Sequence, residues 1–395
     1  MLKKTLSVAA LCFMLASESL VAQNTETDTT TYQSRKLKLE EINFVTGYYQ
    51  QDGNNAAVTG GVGNEHLTDV ANTFNISLSK YDKKQLKHAV NLDFGIDVYT
   101  SASSDQIDPS TISSASSGDV RFYPSINYTI LNEKKRYSFG GGLSYSGEYD
   151  YTSYGTNVHF SKWSKDNNKE LSLKASVFLD QWKVILPIEL RYLGYNEGTS
   201  RNSYNFGLIY YRVINKNFQM AFLADFAYQE GLLGTKFHRV YFDDNSVKTE
   251  TLPTTRTKIP LGIRANYYLG DNIVLRGFYR YYWDNWDIKS NTMSLELSYK
   301  ITPFISLAPS YRFYNQTETK YFAPYQSHNP TETFYTSDYD LSKFNSNMYG
   351  LNLRFSNLHD KTFLKRLNVI ELRYSYYDRN TALKAHSITL SINYK

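Results

Sequence analysis

From about Leu39 onward the chain repeats one theme, a run of about ten residues in which apolar and polar side chains alternate, followed by a break. Successive side chains of a strand point to opposite faces, so such a run places one face against an apolar phase and the other against a polar one. In the run 88–99, Val90, Leu92, Phe94, Ile96 and Val98 fall on one face and Asn91, Asp93, Gly95 and Asp97 on the other. The run 256–269 sets Ile259, Leu261, Ile263, Ala265 and Tyr267 against Pro260, Gly262, Arg264 and Asn266. Met293, Leu295, Leu297 and Tyr299 oppose Thr292, Ser294, Glu296 and Ser298, and Ile388, Leu390, Ile392 and Tyr394 close the series at the C-terminus. The apolar face of these runs carries no charge, as lipid contact demands, since Lys or Arg at a bilayer midplane costs about 2–4 kcal/mol. Strands of soluble sandwiches are typically only about 5–6 residues long, whereas runs of ten or more match a tilted membrane crossing.

The breaks alternate in length. Short ones fall at 82–86, 132–135, 164–169, 215–217, 270–272 and 301–303, with a longer one at 356–366. Between them lie the connections 51–66, 100–118, 183–202, 230–255 and 316–343, and three tight ones near Tyr149, Asn285 and Asn380. Short periplasmic turns facing longer external loops predict an all-β fold, a transmembrane antiparallel β-barrel of about sixteen strands. Fourteen and eighteen strands stay open, because 146–163 and the stretch after Leu341 resist parsing. Closure is required because an open sheet edge in hydrocarbon leaves backbone groups unpaired.

The N-terminus has the layout of an export signal, with Lys3 and Lys4, an apolar run over 6–16 and the exit Leu20-Val21-Ala22. The run is too short for a spanning helix, which needs about 20 residues. The expected organisation is a signal peptide over 1–22, a periplasmic lead-in over 23–38 and the barrel over 39–395. The expected place is the outer membrane of a Gram-negative bacterium with both termini periplasmic. Outer-membrane lipid and the barrel-assembly machinery, which reads a final strand closing on an aromatic such as Tyr394, are the expected partners.

Composition sharpens this picture. Tyr 36 and Phe 22 bring the aromatic fraction to 16% while mean hydropathy is only −0.49, as in a barrel that is apolar outside and polar inside. The single cysteine, Cys12, lies in the segment expected to be removed, which excludes thiol catalysis and thiolate metal sites. The net charge of +5 is mild and spread along the chain, and gives no reason to invoke nucleic acid.

No nucleophile elbow, phosphate-cradling glycine loop or zinc-binding HExxH helix is present, so no catalytic residue and no cofactor are expected. A membrane-embedded hydrolase ranks last among the functions. The run Gly140-Gly141-Gly142 falls mid-strand and marks a bend or a close backbone approach. In the external loops, His238 shortly precedes Asp243, and His328 lies in another loop; a shared metal or catalytic site competes there with ordinary loop packing. Asp338 and Asp340 could hold Ca²⁺, against the simpler reading that they cap a turn.

The inward-facing charges are more informative. By strand parity these are Asp93, Asp97, Asp225, Arg264, Arg276, Arg280, Glu296, Arg312, Arg354, Glu371 and Arg373. Asp93 and Asp97 on about the third strand and Arg276 and Arg280 on about the eleventh would stand on opposite walls. The field between them would select small polar or charged solutes, as rings of charge do in pores. Neutralisation by neighbours is the alternative, with Glu296 next to Arg280 as the expected pair. Aromatic clusters such as 278–283 suit a girdle at the lipid interface.

Several runs resemble a family of outer-membrane proteins of Bacteroidetes-type bacteria classified as a domain of unknown function. They are Ser146-Gly147-Glu148-Tyr149-Asp150-Tyr151, the stretch from Gly231 to Phe242, Tyr279-Arg280-Tyr281-Tyr282-Trp283-Asp284, Lys320-Tyr321-Phe322-Ala323-Pro324-Tyr325 and Tyr335-Thr336-Ser337-Asp338-Tyr339-Asp340. The resemblance implies that loops 231–242 and 320–340 are ordered and fold over or into the mouth. It also hints at redox-linked work in the cell envelope. Two readings follow: a channel or binding barrel for a small polar or charged solute, or an envelope scaffold with a plugged lumen that binds a partner.

Overall fold

The computed structural model describes residues 36–100, 118–186, 188–193, 196–356 and 367–395. The signal peptide, most of the lead-in, and the connections 101–117 and 357–366 lie outside the described residues.

The alternating runs form long antiparallel strands: β1 (Lys38–Gly53), β2 (Leu67–Tyr81), β3 (Lys87–Tyr99), β4 (Asp119–Asn132), β5 (Tyr137–Gly147), β6 (Tyr151–Trp163), β7 (Lys169–Ile185), β8 (Asn196–Asn215) and β9 (Phe218–Gly231). A small hairpin of β10 (Arg239–Tyr241) and β11 (Val247–Thr249) interrupts the series. It resumes with β12 (Thr255–Leu269), β13 (Ile273–Asp284), β14 (Lys289–Lys300), β15 (Ile305–Gln316), β16 (Phe344–Ser356), β17 (Leu367–Arg379) and β18 (Leu383–Tyr394).

All strands but β10 and β11 join one closed sheet of sixteen, in which each strand neighbours the next in the series and β1 pairs with β18. The closing seam runs from Ile42↔Tyr394 to Gly53↔Leu383, so no edge is left unpaired. Both described chain ends lie at the end of the barrel where connections are short, the turn end; the long connections gather at the opposite, loop end.

The two faces differ as alternation requires. On β14, Met293, Leu295, Leu297 and Tyr299 are 53%, 50%, 40% and 44% exposed, so no protein layer covers them. Similar open apolar side chains occur around the ring, from Phe94 and Ile126 through Phe206 and Ile263 to Leu351 and Ile388. On β12 the outward run from Ile259 to Leu269 is uncharged, and ten residues of tilted strand rise roughly 25 Å, the height of a hydrocarbon core. Outward charges appear at the loop rim instead, where Lys384 stands between Asp52 and Asp378 in register.

Two strands outrun their sequence pattern. The connection expected at 183–202 is shorter, because β7 and β8 pair in register out to Ile185↔Asn196. Beyond the membrane both faces of a strand meet water, so Gly198-Thr199-Ser200-Arg201-Asn202 has no alternation to betray it. The three glycines of β5 mark a close approach rather than a bend. A Cβ on Gly142 would lie 2.1 Å from Asn127 Oδ1, and one on Gly140 would lie 2.6 Å from His159 Nε2. The missing side chains let His159 reach across β5 to Thr129 at 3.0 Å.

Candidate functional site

Four connections at the loop end fold together into a cap: 54–66, the described part of the β7–β8 connection (186 and 188–193), 232–254 and 317–343. Phe237 packs on the Ala56–Val58 cluster of the first and on the cluster that Val184 at the end of β7 forms with Leu186 and Leu190 of the second. Those two connections stand six places apart in a ring of sixteen, so this contact crosses much of the mouth. The β10–β11 hairpin carries Val240 and Phe242, both fully buried, against Tyr335 of loop 317–343. Backbone bridges Phe242↔His328 and Thr251↔Tyr335 stitch the two loops together, and Phe322↔Thr336 folds loop 317–343 back on itself. Gly60 and Gly61, both with positive φ, let loop 54–66 approach them. A Cβ on Gly60 would lie 2.6 Å from the Tyr241 ring, and one on Gly61 would lie 2.7 Å from the Ser337 carbonyl oxygen.

At the base of the cap, the loop ends of the strands hold arginines that each meet a carboxylate. Arg256 bonds Asp284 through Nε (2.9 Å) and Nη2 (2.5 Å) and lies 4.3 Å from the Trp286 ring centre. Asp284 is the hub: its oxygens also accept from the Tyr282 hydroxyl and from the backbone N–H groups of Trp286 and Ile288. Trp286, 1% exposed, in turn receives loop 317–343 on its carbonyl from Thr319 and Lys320. Arg201 pairs with Asp180 at 2.7 Å, Arg379 with Asp340 at 2.5 Å, and Arg121 with Glu148 at 3.5 Å. Gln316 donates to the carbonyls of Asp340 and Ser342, and Gln51 donates to Glu65.

Within the cap, His238 and Glu250 flank the open end of the β10–β11 hairpin, joined by a backbone bond from Glu250 N–H to the His238 carbonyl at 2.9 Å. Asp338 comes from loop 317–343, where its Oδ1 accepts the Asp340 N–H at 2.8 Å and caps a short 3-10 turn. His238 Nδ1 stands 4.0 Å from a carboxylate oxygen of Glu250 and 4.0 Å from one of Asp338. That separation is electrostatic contact rather than a hydrogen bond. Burial pulls the imidazole pKa down, but the adjoining Glu250, Asp338 and Asp340 outweigh it and raise it. Burial, and then the neighbouring Asp340 charge, raise the Asp338 carboxyl. Burial pushes Glu65 up to about 7, with the charge of Asp340 adding to it and Arg379 opposing.

Charges also line the walls beneath the cap. Among the described residues Asp93 accepts from neutral groups, Asn75 at 2.7 Å and Ser125 at 2.9 Å; Asp97, opposite Arg121 in register, accepts from the Tyr123 hydroxyl at 2.7 Å. Asp93 lines a cavity of about 410 Å³ with Arg121, Tyr123, Asp180 and Arg201. Across the barrel, Arg264, Arg276, Arg312 and Glu296 line a second cavity of about 290 Å³. Glu296 pairs with Arg276 at 2.5 Å, directly opposite in register, and not with Arg280 as expected from adjacency alone. Arg280 is instead within electrostatic reach of Asp225, two strands away, with Gly262 between them offering no side chain. Glu371 serves both Arg373 (3.2 Å) and Arg354 (3.9 Å). Arg264 and Arg312 have no ion-pair partner among the described residues.

The structure thus sorts the residues singled out in the sequence. His238 and Asp338 meet, 100 residues apart in the chain, whereas Asp243 is exposed at the hairpin tip and takes no part. His328 belongs to a separate arrangement, with Nδ1 2.6 Å from Glu332 and Nε2 2.9 Å from the Thr336 carbonyl. Asp340 turns away to Arg379. Sequence reasoning missed Glu250, Asp284, Asp180, Arg201, Arg256 and Arg379. Asp284 and Arg256 carry the one usable signal, a charge at the end of an alternating run on the inward parity.

Cap, neutralised base and charged walls define a closed sixteen-strand antiparallel β-barrel with an apolar outer belt and a polar interior. Residues 108–389 match the family described as Protein of unknown function (DUF3570), and the chain belongs to that family. In fold it is similar to OpdK of Pseudomonas aeruginosa, solved with vanillate (8% identity, TM-score 0.44, covering 92% of this chain and 99% of that one). It is also similar to a BenF-like porin from Pseudomonas fluorescens Pf-5 (9% identity, TM-score 0.46, 92% and 99% covered). A bacterial polysaccharide outer membrane secretin gives 7% identity and a TM-score of 0.46, with 90% and 98% covered. A search of curated proteins returned no match.

Proposed function

We propose that this protein is an outer-membrane barrel that takes a small charged solute into its lumen beneath the loop cap, with the turn end and both termini on the periplasmic side. The uncharged outer belt of membrane height supports the location. The resemblance of its loop runs supports a Bacteroidetes-type cell envelope. One observation carries the solute reading: Asp93 and Asp97 on β3 face Arg276 and Arg280 on β13, eight places away in a ring of sixteen. Sixteen strands enclose a water-filled interior in porins. A field across such an interior orients and holds a charged or zwitterionic solute. Arg264 and Arg312 leave the β12–β15 wall net positive even after Glu296 is counted.

Planar-bilayer recording tests this. Wild-type protein is expected to give discrete conductance steps whose ion selectivity moves toward cations when Arg276 and Arg280 become Ala. A barrel that inserts but conducts nothing, with or without its cap loosened, sinks the reading. A second reading, a plugged barrel that binds a partner through its cap, is favoured by the cap's own buried cluster of Val240, Phe242 and Tyr335.

A further inference from the structure

We infer that His238, Glu250 and Asp338 form a binding site for a divalent first-row metal ion of the Zn²⁺ type, which clamps the β10–β11 hairpin to loop 317–343. The donor atoms, one per residue, all lie within 4.8 Å of one another. His238 Nδ1 is buried and has no hydrogen-bond partner, a state that is unfavourable when nothing compensates it. It sits 4.0 Å from each of two carboxylate oxygens. A proton on the imidazole neutralises one of those carboxylates; a divalent cation neutralises both.

The surroundings hold the donors as outer-shell partners hold metal ligands. Glu250 is 3% exposed on its side chain. One of its oxygens accepts the Thr235 N–H at 2.5 Å and the other accepts the Thr336 hydroxyl. Asp338 Oδ1 is fixed by the Asp340 N–H, which leaves Oδ2 for the site. One imidazole with two carboxylates suits Zn²⁺ or a neighbouring first-row ion better than Ca²⁺, which takes oxygen ligands alone. Zn²⁺ bonds of about 2.0–2.2 Å place tetrahedral donors roughly 3.4 Å apart, so each donor need move only about half an ångström, with water in the fourth position. His328 offers no such site, because both of its ring nitrogens are already engaged.

The clamp stands whether or not the lumen conducts. Its test is calorimetric titration of Zn²⁺, and separately of Ca²⁺ and Mg²⁺, into full-length protein in detergent after removal of metal by chelator. One Zn²⁺ per chain is expected, with affinity falling at least tenfold in His238→Ala and in Asp338→Asn, unchanged in Asp243→Asn, and exceeding that for Ca²⁺. Gel migration of unboiled against boiled samples checks that each variant folds. Should His238→Ala fail that check, the partly exposed Asp338→Asn carries the test alone. Absence of saturable Zn²⁺ binding, affinity undiminished in a folded ligand variant, or Ca²⁺ bound more tightly than Zn²⁺ each overturns the inference.

Discussion

The loop end and the middle of the barrel carry similar inward charges but treat them differently. At the cap base Arg201, Arg256 and Arg379 each bond a carboxylate, and Asp180 and Asp284 are withdrawn from water. Farther down, Asp93 has neutral hydrogen-bond partners, while Arg264 and Arg312 have no ion-pair partner among the described residues. Burial explains the difference. A charge covered by a cap must be paired, because leaving it alone costs several kcal/mol. A charge on a wall open to the barrel interior needs no such partner, and on the proposed reading it acts on a solute. The first arrangement holds a lid together; the second is available for recognition.

The largest expected effect breaks the first region. Asp284→Ala strips Arg256, Tyr282 and the Trp286–Ile288 backbone of their common acceptor. It should cost about 3–5 kcal/mol of cap stability, read as rapid protease cleavage of loop 317–343 while the barrel stays folded. Next comes the outer face. Leu295→Arg should destabilise the barrel by about 2–4 kcal/mol in lipid, whereas Ser294→Arg, one residue away on the inner face, should be tolerated.

A smaller effect is expected with pH. Glu65 titrates at about 7 in the folded cap against about 4.5 when unfolded, so its contribution is complete below about 4.5 and is lost as pH rises through about 7. Protease sensitivity of the cap should therefore grow between pH 5 and pH 8, and Glu65→Gln should flatten that rise. A cap equally resistant at both values contradicts this assignment.

The barrel was legible because its apolar phase imposes a period of two on every crossing, and strand count, alternation of turns and inward parity all descend from that rule. Where the rule lapses, legibility ends. The loop ends of β7 and β8, 183–185 and 196–202, lie past the alternating run and carry the pattern of a loop. The cap depends on contacts such as Phe237 with the clusters of Val58 and Leu190, and Asp338 with His238, which have no periodicity to announce them. Glu250 in particular reads as one more polar residue near a turn; only the hairpin register places it beside His238. Adjacency of strands offers Glu296 as a neutralising partner for Arg280, but cross-strand pairing depends on register, and register sets Glu296 opposite Arg276.

The most direct test of the account is the reversal potential across a planar bilayer under a KCl gradient, measured on the cap-loosened Asp284→Ala barrel with and without Arg276→Glu and Arg280→Glu. The account predicts open steps in the first and a clear shift toward cation selectivity in the second. An identical reversal potential in both, or silence in both, would contradict the claim that the exposed wall charges face a conducting lumen.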